Sequence, residues 1–180
     1  KEVEGLANTE VESKTDEIDD ARNEIETLQA ENNKHTQYIE RRSRGLQEKI
    51  KDRHDKKQSL LQYKADFDSK IRSLVKESKF YEKHDNCPTC EQEIPVELKQ
   101  EKLKTAKDKA AIYQDTLIDL ANEAEAVEID IADLDSRSAD IRDRTSSVTN
   151  NNTAIDSLQK RITILSNQID KIKGTDGDTA

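Results

Sequence analysis

Apolar residues return every seventh position over two long stretches of this chain. Counted from Val11, the series is Val11, Ile18, Ile25, Asn32, Ile39, Leu46, Arg53, Leu60, Phe67, Leu74 and Tyr81, with only Asn32 and Arg53 breaking it. Counted from Ala106, it is Ala106, Tyr113, Leu120, Val127, Leu134, Ile141, Val148, Ile155, Ile162 and Ile169, without a break. At the chain's apolar frequency of 32%, an unbroken run of that length would arise by chance on the order of once in 100,000 trials. A sustained heptad of this kind predicts coiled-coil helix. The companion positions are Ala21 and Leu28, then Ile50 and Ile71, in the first stretch, a change of spacing that implies a drifting register. In the second they are Leu103, Ala110, Leu117, Ala124 and Ile131, then Leu158, Leu165 and Ile172.

Helix breakers respect the same division. No Gly or Pro occurs between Leu46 and Asn86, or between Val96 and Lys173. They are confined to Gly5, Gly45, the Pro88–Pro95 stretch and the Gly174–Gly177 end. Prolines flanking a short polar stretch favour a turn there. The expected fold is therefore all-α, a long antiparallel coiled-coil hairpin. It has an ascending arm over 1–80, an apex over 81–97, a descending arm over 98–173 and a flexible tail over 174–180. At 1.5 Å per residue each arm would run about 110–120 Å. A continuous rod paired with a second chain is the alternative topology. Asn32-Asn33 and Gly45 in the first arm, and Thr145-Ser146-Ser147 and Asn150-Asn151-Asn152-Thr153 in the second, are poor helix formers at similar distances from the apex. A hinge or interruption is expected where they face each other, although a seam Asn at 32 also serves to set register.

Composition sharpens this picture. Charged residues are 38% and aromatic residues 3% of the chain, with no Trp or Met. So little apolar surface cannot fill a three-dimensional core, but it can fill a narrow seam. Disorder is the competing reading of such a composition, and the heptads decide against it. The formal net charge of −9 disfavours general nucleic-acid binding. One stretch runs the other way: Arg41, Arg42, Arg44, Lys49, Lys51, Arg53, Lys56 and Lys57 are offset by only Glu48, Asp52 and Asp55. Over 41–57 a weak DNA contact is conceivable, against the plainer reading of a solvated face paired with the other arm. No apolar run is long enough to span a bilayer and no signal-peptide pattern opens the chain, so no membrane partner and a cytoplasmic setting are expected. A chain that begins Lys1-Glu2-Val3 and contains no Met suggests a piece of a larger protein, although N-terminal processing leaves the same trace.

The candidate chemistry sits between the arms. The only cysteines are Cys87 and Cys90, in Cys87-Pro88-Thr89-Cys90. This spacing lets two thiolates address one ion from a tight turn, the half-site of many tetrahedral zinc centres. Structural zinc takes four ligands. His84 is a candidate third ligand with no fourth nearby, whereas two chains meeting tip to tip would give Cys₄ with Cys87 and Cys90 from each. A thiol redox motif, a plain disulfide at the turn and incidental cysteines are the other readings. His35 and His54 are scattered, there is no phosphate-binding glycine loop, and no catalytic constellation is found.

A central Cys87-Pro88-x-Cys90 flanked by two long coiled-coil arms resembles the zinc-hook region of the SbcC-type DNA-repair ATPases, relatives of the SMC proteins. The arms are also similar to those of the large subunits of T-even phage recombination endonucleases. This likeness covers the layout of the whole chain but rests on few residues. It implies a hook that joins two coiled coils through one shared zinc ion, with Cys87 and Cys90 as metal ligands. It further implies an ABC-type ATPase head built from the ends of the coils, using ATP and Mg. That head would act with a nuclease subunit on DNA double-strand ends, in the cytoplasm, or the host cytoplasm for a phage protein. No head motif is present in these residues, so no enzymatic activity is expected of them.

Overall fold

The computed structural model describes residues 2–177, with side chains placed from 5 to 174. The chain is all-α: α1 spans Glu2–Ser43, α2 spans Leu46–Lys83 and α3 spans Val96–Gly177. No strand occurs among the described residues, only an isolated antiparallel bridge between Asn86 and Glu93. Among the same residues, no helix is long and apolar enough to cross a membrane. Of the tail expected over 174–180, Gly174–Gly177 continue α3, and 178–180 lie outside the described residues.

Local chemistry explains the helix ends. Gly45 has φ of +65°, the left-handed region that a Cβ makes unfavourable, and with Arg44 it forms the turn between α1 and α2. A Cβ at Gly45 would meet nothing within 4 Å, so the requirement is in the backbone and not in space. At the start of α3 the carbonyl of Pro95 accepts from Lys99 N at 3.1 Å, the first intrahelical bond. Proline's missing N–H is not needed there. Glu97 in the first turn adds a favourable charge at the positive helix end.

The expected ascending arm is thus two helices, and the interruption falls at Arg44–Gly45. Both polar stretches assigned to the hinge are helical. Asn32-Asn33 lie inside α1, and 145–153 lie inside an unbroken α3. Thr145, Ser147, Thr149 and Thr153 each donate their hydroxyl to the carbonyl four residues back, at 2.8–3.1 Å, so these side chains are satisfied by the helix itself.

The chain divides into two compact units, one formed by residues up to Leu46 and from Ser136 onward, the other by Gln47–Asp135. In the first, Ile18, Leu165 and Ile169 are buried together, with Val11 and Ile162 packed on them. Lys14 bonds Gln168 at 3.1 Å, Arg161 pairs with Glu17 at 2.7 Å and Asn32 bonds Asn152 at 2.9 Å. Tyr38 donates to Asp140. Partner numbers in α3 fall as numbers in α1 rise. Asn32, the polar member of the heptad, is half-buried and also accepts from Asn151 Nδ2 at 3.0 Å. The two Asn-rich stretches therefore face each other and satisfy one another's amides.

In the second unit Leu60, Val127 and Ile131 form the buried cluster, with Leu120 and Ala124 against it. Phe67 and Tyr113 meet at 5.5 Å between ring centroids. Arg53, Lys56 and Lys57 of the basic stretch pair with Asp130, Glu123 and Glu128 on α3 at 3.2, 2.7 and 2.5 Å. All six side chains are about half exposed, where such pairs contribute roughly 0–1 kcal/mol each. From Arg53–Asp130 to Phe67–Tyr113, partner numbers on α3 fall overall as those on α2 rise.

Candidate metal centre

Residues 84–95 join α2 to α3 and carry both cysteines. A short two-sided ladder shapes this loop. Ile94 N donates to Asp85 O at 2.8 Å, and Cys87 N donates to Gln92 O at 2.8 Å, with the Asn86–Glu93 bridge between them. At its tip Glu91 N returns to Cys87 O at 2.8 Å, closing a turn over Pro88-Thr89-Cys90. Pro88 suits this turn because its fixed φ sets the first bend and no N–H is required of it. The turn ends on Glu91 with φ of +61°, an unusual conformation for a residue with a side chain.

This closure brings Cys87 and Cys90 within 3.5 Å of each other as free thiols. In a tetrahedral site with Zn–S bonds near 2.3 Å, two thiolates stand about 3.8 Å apart, so the pair is close to the spacing that zinc requires. A disulfide needs contact near 2.05 Å. The backbone N–H groups of Cys90 and then Thr89 donate to the Cys87 sulfur, helped by the Cys90 thiol and the Thr89 hydroxyl, and they hold the Cys87 thiol below its ordinary pKa. Thiolate is the form that binds metal, so the loop favours the ligand state of Cys87. Cys87 is half-buried and Cys90 exposed, with Cys90 Sγ 3.8 Å from Gln92 Oε1.

No group of three or more His, Cys, Asp or Glu positioned to hold a metal occurs among the described residues. His84 does not join the cysteines. Its Nδ1 lies 3.0 Å from Phe80 O and its ring stacks on Phe80 at 4.9 Å, fixing it to the last turn of α2. Among the described residues, the loop thus groups two sulfur donors and no third ligand. The strands that frame a Cys-x-x-Cys oxidoreductase motif are absent among the described residues.

No family model matches this chain, nor does any curated protein or solved structure.

The base of the loop holds residues that the sequence did not single out. Lys99 Nζ reaches Asp85 Oδ1 at 2.5 Å, and this bond, followed by the lysine's charge, holds the Asp85 carboxyl below the usual carboxylate range. The pair spans fourteen residues of sequence with no motif spacing. An acid before a Cys-x-x-Cys and a lysine in the first turn of the following helix is the only trace it leaves.

Proposed function

We propose that this chain is a dimerisation and tethering module: an antiparallel coiled-coil hairpin with a zinc hook at its apex. Two copies join tip to tip, and one zinc ion is held by Cys87 and Cys90 of each. What carries this reading is the pair of free thiols 3.5 Å apart in the loop between α2 and α3, with no third ligand grouped with them among the described residues. Two sulfurs in near-tetrahedral spacing are half a structural zinc site, and zinc completes its shell with four. The falling partner numbers within each unit support the hairpin, and the buried heptads support the coiled coil. When bound, zinc would supply a crosslink rather than chemistry, because a closed four-sulfur shell leaves no position for water or substrate. Cys87 and Cys90 would hold it, and the Cys90 and Thr89 amides would favour the charged form of the Cys87 sulfur.

The biological setting rests on the resemblance to SbcC-type repair ATPases. On that reading the module belongs to a cytoplasmic DNA-recombination and double-strand-break repair complex with a nuclease subunit, and the paired hooks link two molecules and the DNA they hold. The module itself is not an enzyme; ATP and Mg belong to the head. A weak DNA contact at 41–57 is a lesser part of the proposal. Exposed Arg41, Lys49 and Lys51 would carry it, since Arg53, Lys56 and Lys57 are engaged with acids. Neutralising those three should flatten the salt dependence of duplex binding, and an unchanged slope removes this contact.

The test of the hook is zinc content. The unaltered chain should retain about one zinc per two chains after desalting, and Cys87→Ser or Cys90→Ser should retain none. Equal zinc in the serine variants refutes the assignment of the ligands.

A further inference from the structure

We propose that the Asp85–Lys99 ion pair is a clasp that preorganises the metal half-site, making Lys99 a positioning residue for a zinc ion it never touches. The inference rests on the zinc-hook reading and extends it from the two ligands to the chain that presents them.

Asp85 is tied twice to the returning side of the loop. Its carbonyl accepts from Ile94 N at 2.8 Å and its carboxylate accepts from Lys99 Nζ at 2.5 Å. Lys99 is itself fixed, because its backbone N–H makes the first bond of α3 to Pro95 and its side chain is only 16% exposed. The clasp therefore joins the residue two before Cys87 to the rigid start of α3. It closes the base of a loop whose next rungs are the Asn86–Glu93 bridge and the Cys87 N to Gln92 O bond. Opening the base would free those rungs in turn, and the Cys87–Glu91 turn that sets the sulfur spacing stands on them. A half-site that must be ordered when the metal arrives binds more weakly than one already ordered. The Asp85 side chain is 97% exposed, so the clasp is a solvent-screened pair and its effect is modest.

The experiment uses the full chain with Lys99→Met, which keeps the apolar stem, Asp85→Asn, which keeps the backbone carbonyl, and Lys99→Arg as the conservative control. Two quantities are measured: zinc affinity by chelator competition, and amide exchange at Ile94 and Cys87 in the metal-free chain. Lys99→Met and Asp85→Asn should each weaken zinc binding about fivefold and speed exchange at both amides, with helix content unchanged. Lys99→Arg should restore most of the affinity. The advantage of the unaltered chain over Lys99→Met should shrink in high salt, where the ion pair is screened. Zinc uptake by the unaltered chain with indistinguishable affinity in Lys99→Met and Asp85→Asn overturns the clasp and leaves the hook standing. An unaltered chain that takes up no zinc overturns both.

Discussion

Leu60 and Leu61 are neighbours in sequence with opposite fates, and exchanging either for alanine tests the register of the second unit directly. Leu60 is 3% exposed in the cluster with Val127 and Ile131, whereas Leu61 is 58% exposed. Leu60→Ala removes the equivalent of three buried methylene groups, about 2.4 kcal/mol at roughly 0.8 kcal/mol each. Leu→Ala losses in compact cores reach about 5 kcal/mol where the surroundings cannot collapse into the cavity. Here Leu60 borders a hollow of about 270 Å³, lined also by Leu61, Leu120, Ala121 and Ala124, that opens to solvent. Neighbouring side chains can move and water can enter, so the cavity penalty is small and the expected loss stays near 2–3 kcal/mol. Leu61→Ala should change stability by less than about 0.5 kcal/mol. Urea unfolding followed by helix ellipticity, with chelator present so that metal-linked association adds nothing, gives both values. Equal losses for the two variants, or the larger loss for Leu61→Ala, refutes the heptad that places Leu60 in the seam.

Gly45→Ala should cost about 1 kcal/mol, read as a lowered thermal midpoint, because φ of +65° strains a residue with a Cβ although no atom clashes with it. Gly45→Asn should recover part of that loss, since Asn tolerates the left-handed region. In the first unit Asp140 is held below the usual carboxylate range by the Tyr38 hydroxyl first, then by the charges of Arg144 and Arg42. A folded-state pKa below the unfolded value gives stability that is fully present above the unfolded value of about 3.9 and is lost as pH falls through the folded one. Tyr38→Phe should therefore flatten the fall in stability on the acid side of pH 4 while leaving the slope above pH 5 unchanged, and an unaltered acid slope contradicts it. Asn32→Leu should raise the thermal midpoint of the seam but strand the amides of Asn151 and Asn152 that now bond to Asn32. Mixed-register species in crosslinking between α1 and α3 are its expected signature. A single register in that variant means that Asn32 does not set alignment.

The seam was legible because a period of seven is a global property that no single residue can blur. Every heptad residue with a placed side chain is buried or half-buried except Arg53, which the pattern already marked as polar. The position of the break was legible only in part. Low helix propensity costs a few tenths of a kcal/mol per residue, and at Asn32, Asn151 and Asn152 the cross-helix amide bonds offset it. Gly45 is different because its left-handed backbone is a geometric requirement, and a single such residue ends a helix that several weak formers do not. In the loop between α2 and α3, Cys87 and Cys90 announced themselves by type and spacing. The Asp85–Lys99 clasp, the Phe80–His84 stack and the amides on the Cys87 sulfur did not. They arise from how the loop closes, and residues fourteen apart carry no periodic signal of their contact.

The central claim is that two copies share one zinc, and mass measured along a zinc titration tests it most directly. Starting from the chelated chain, dimer should grow linearly and reach its plateau at half a zinc per chain. Chelator should return it to monomer, and Cys87→Ser with Cys90→Ser should abolish the transition. Dimers that persist in chelator and in the serine variants, or a plateau at one zinc per monomeric chain, contradict it.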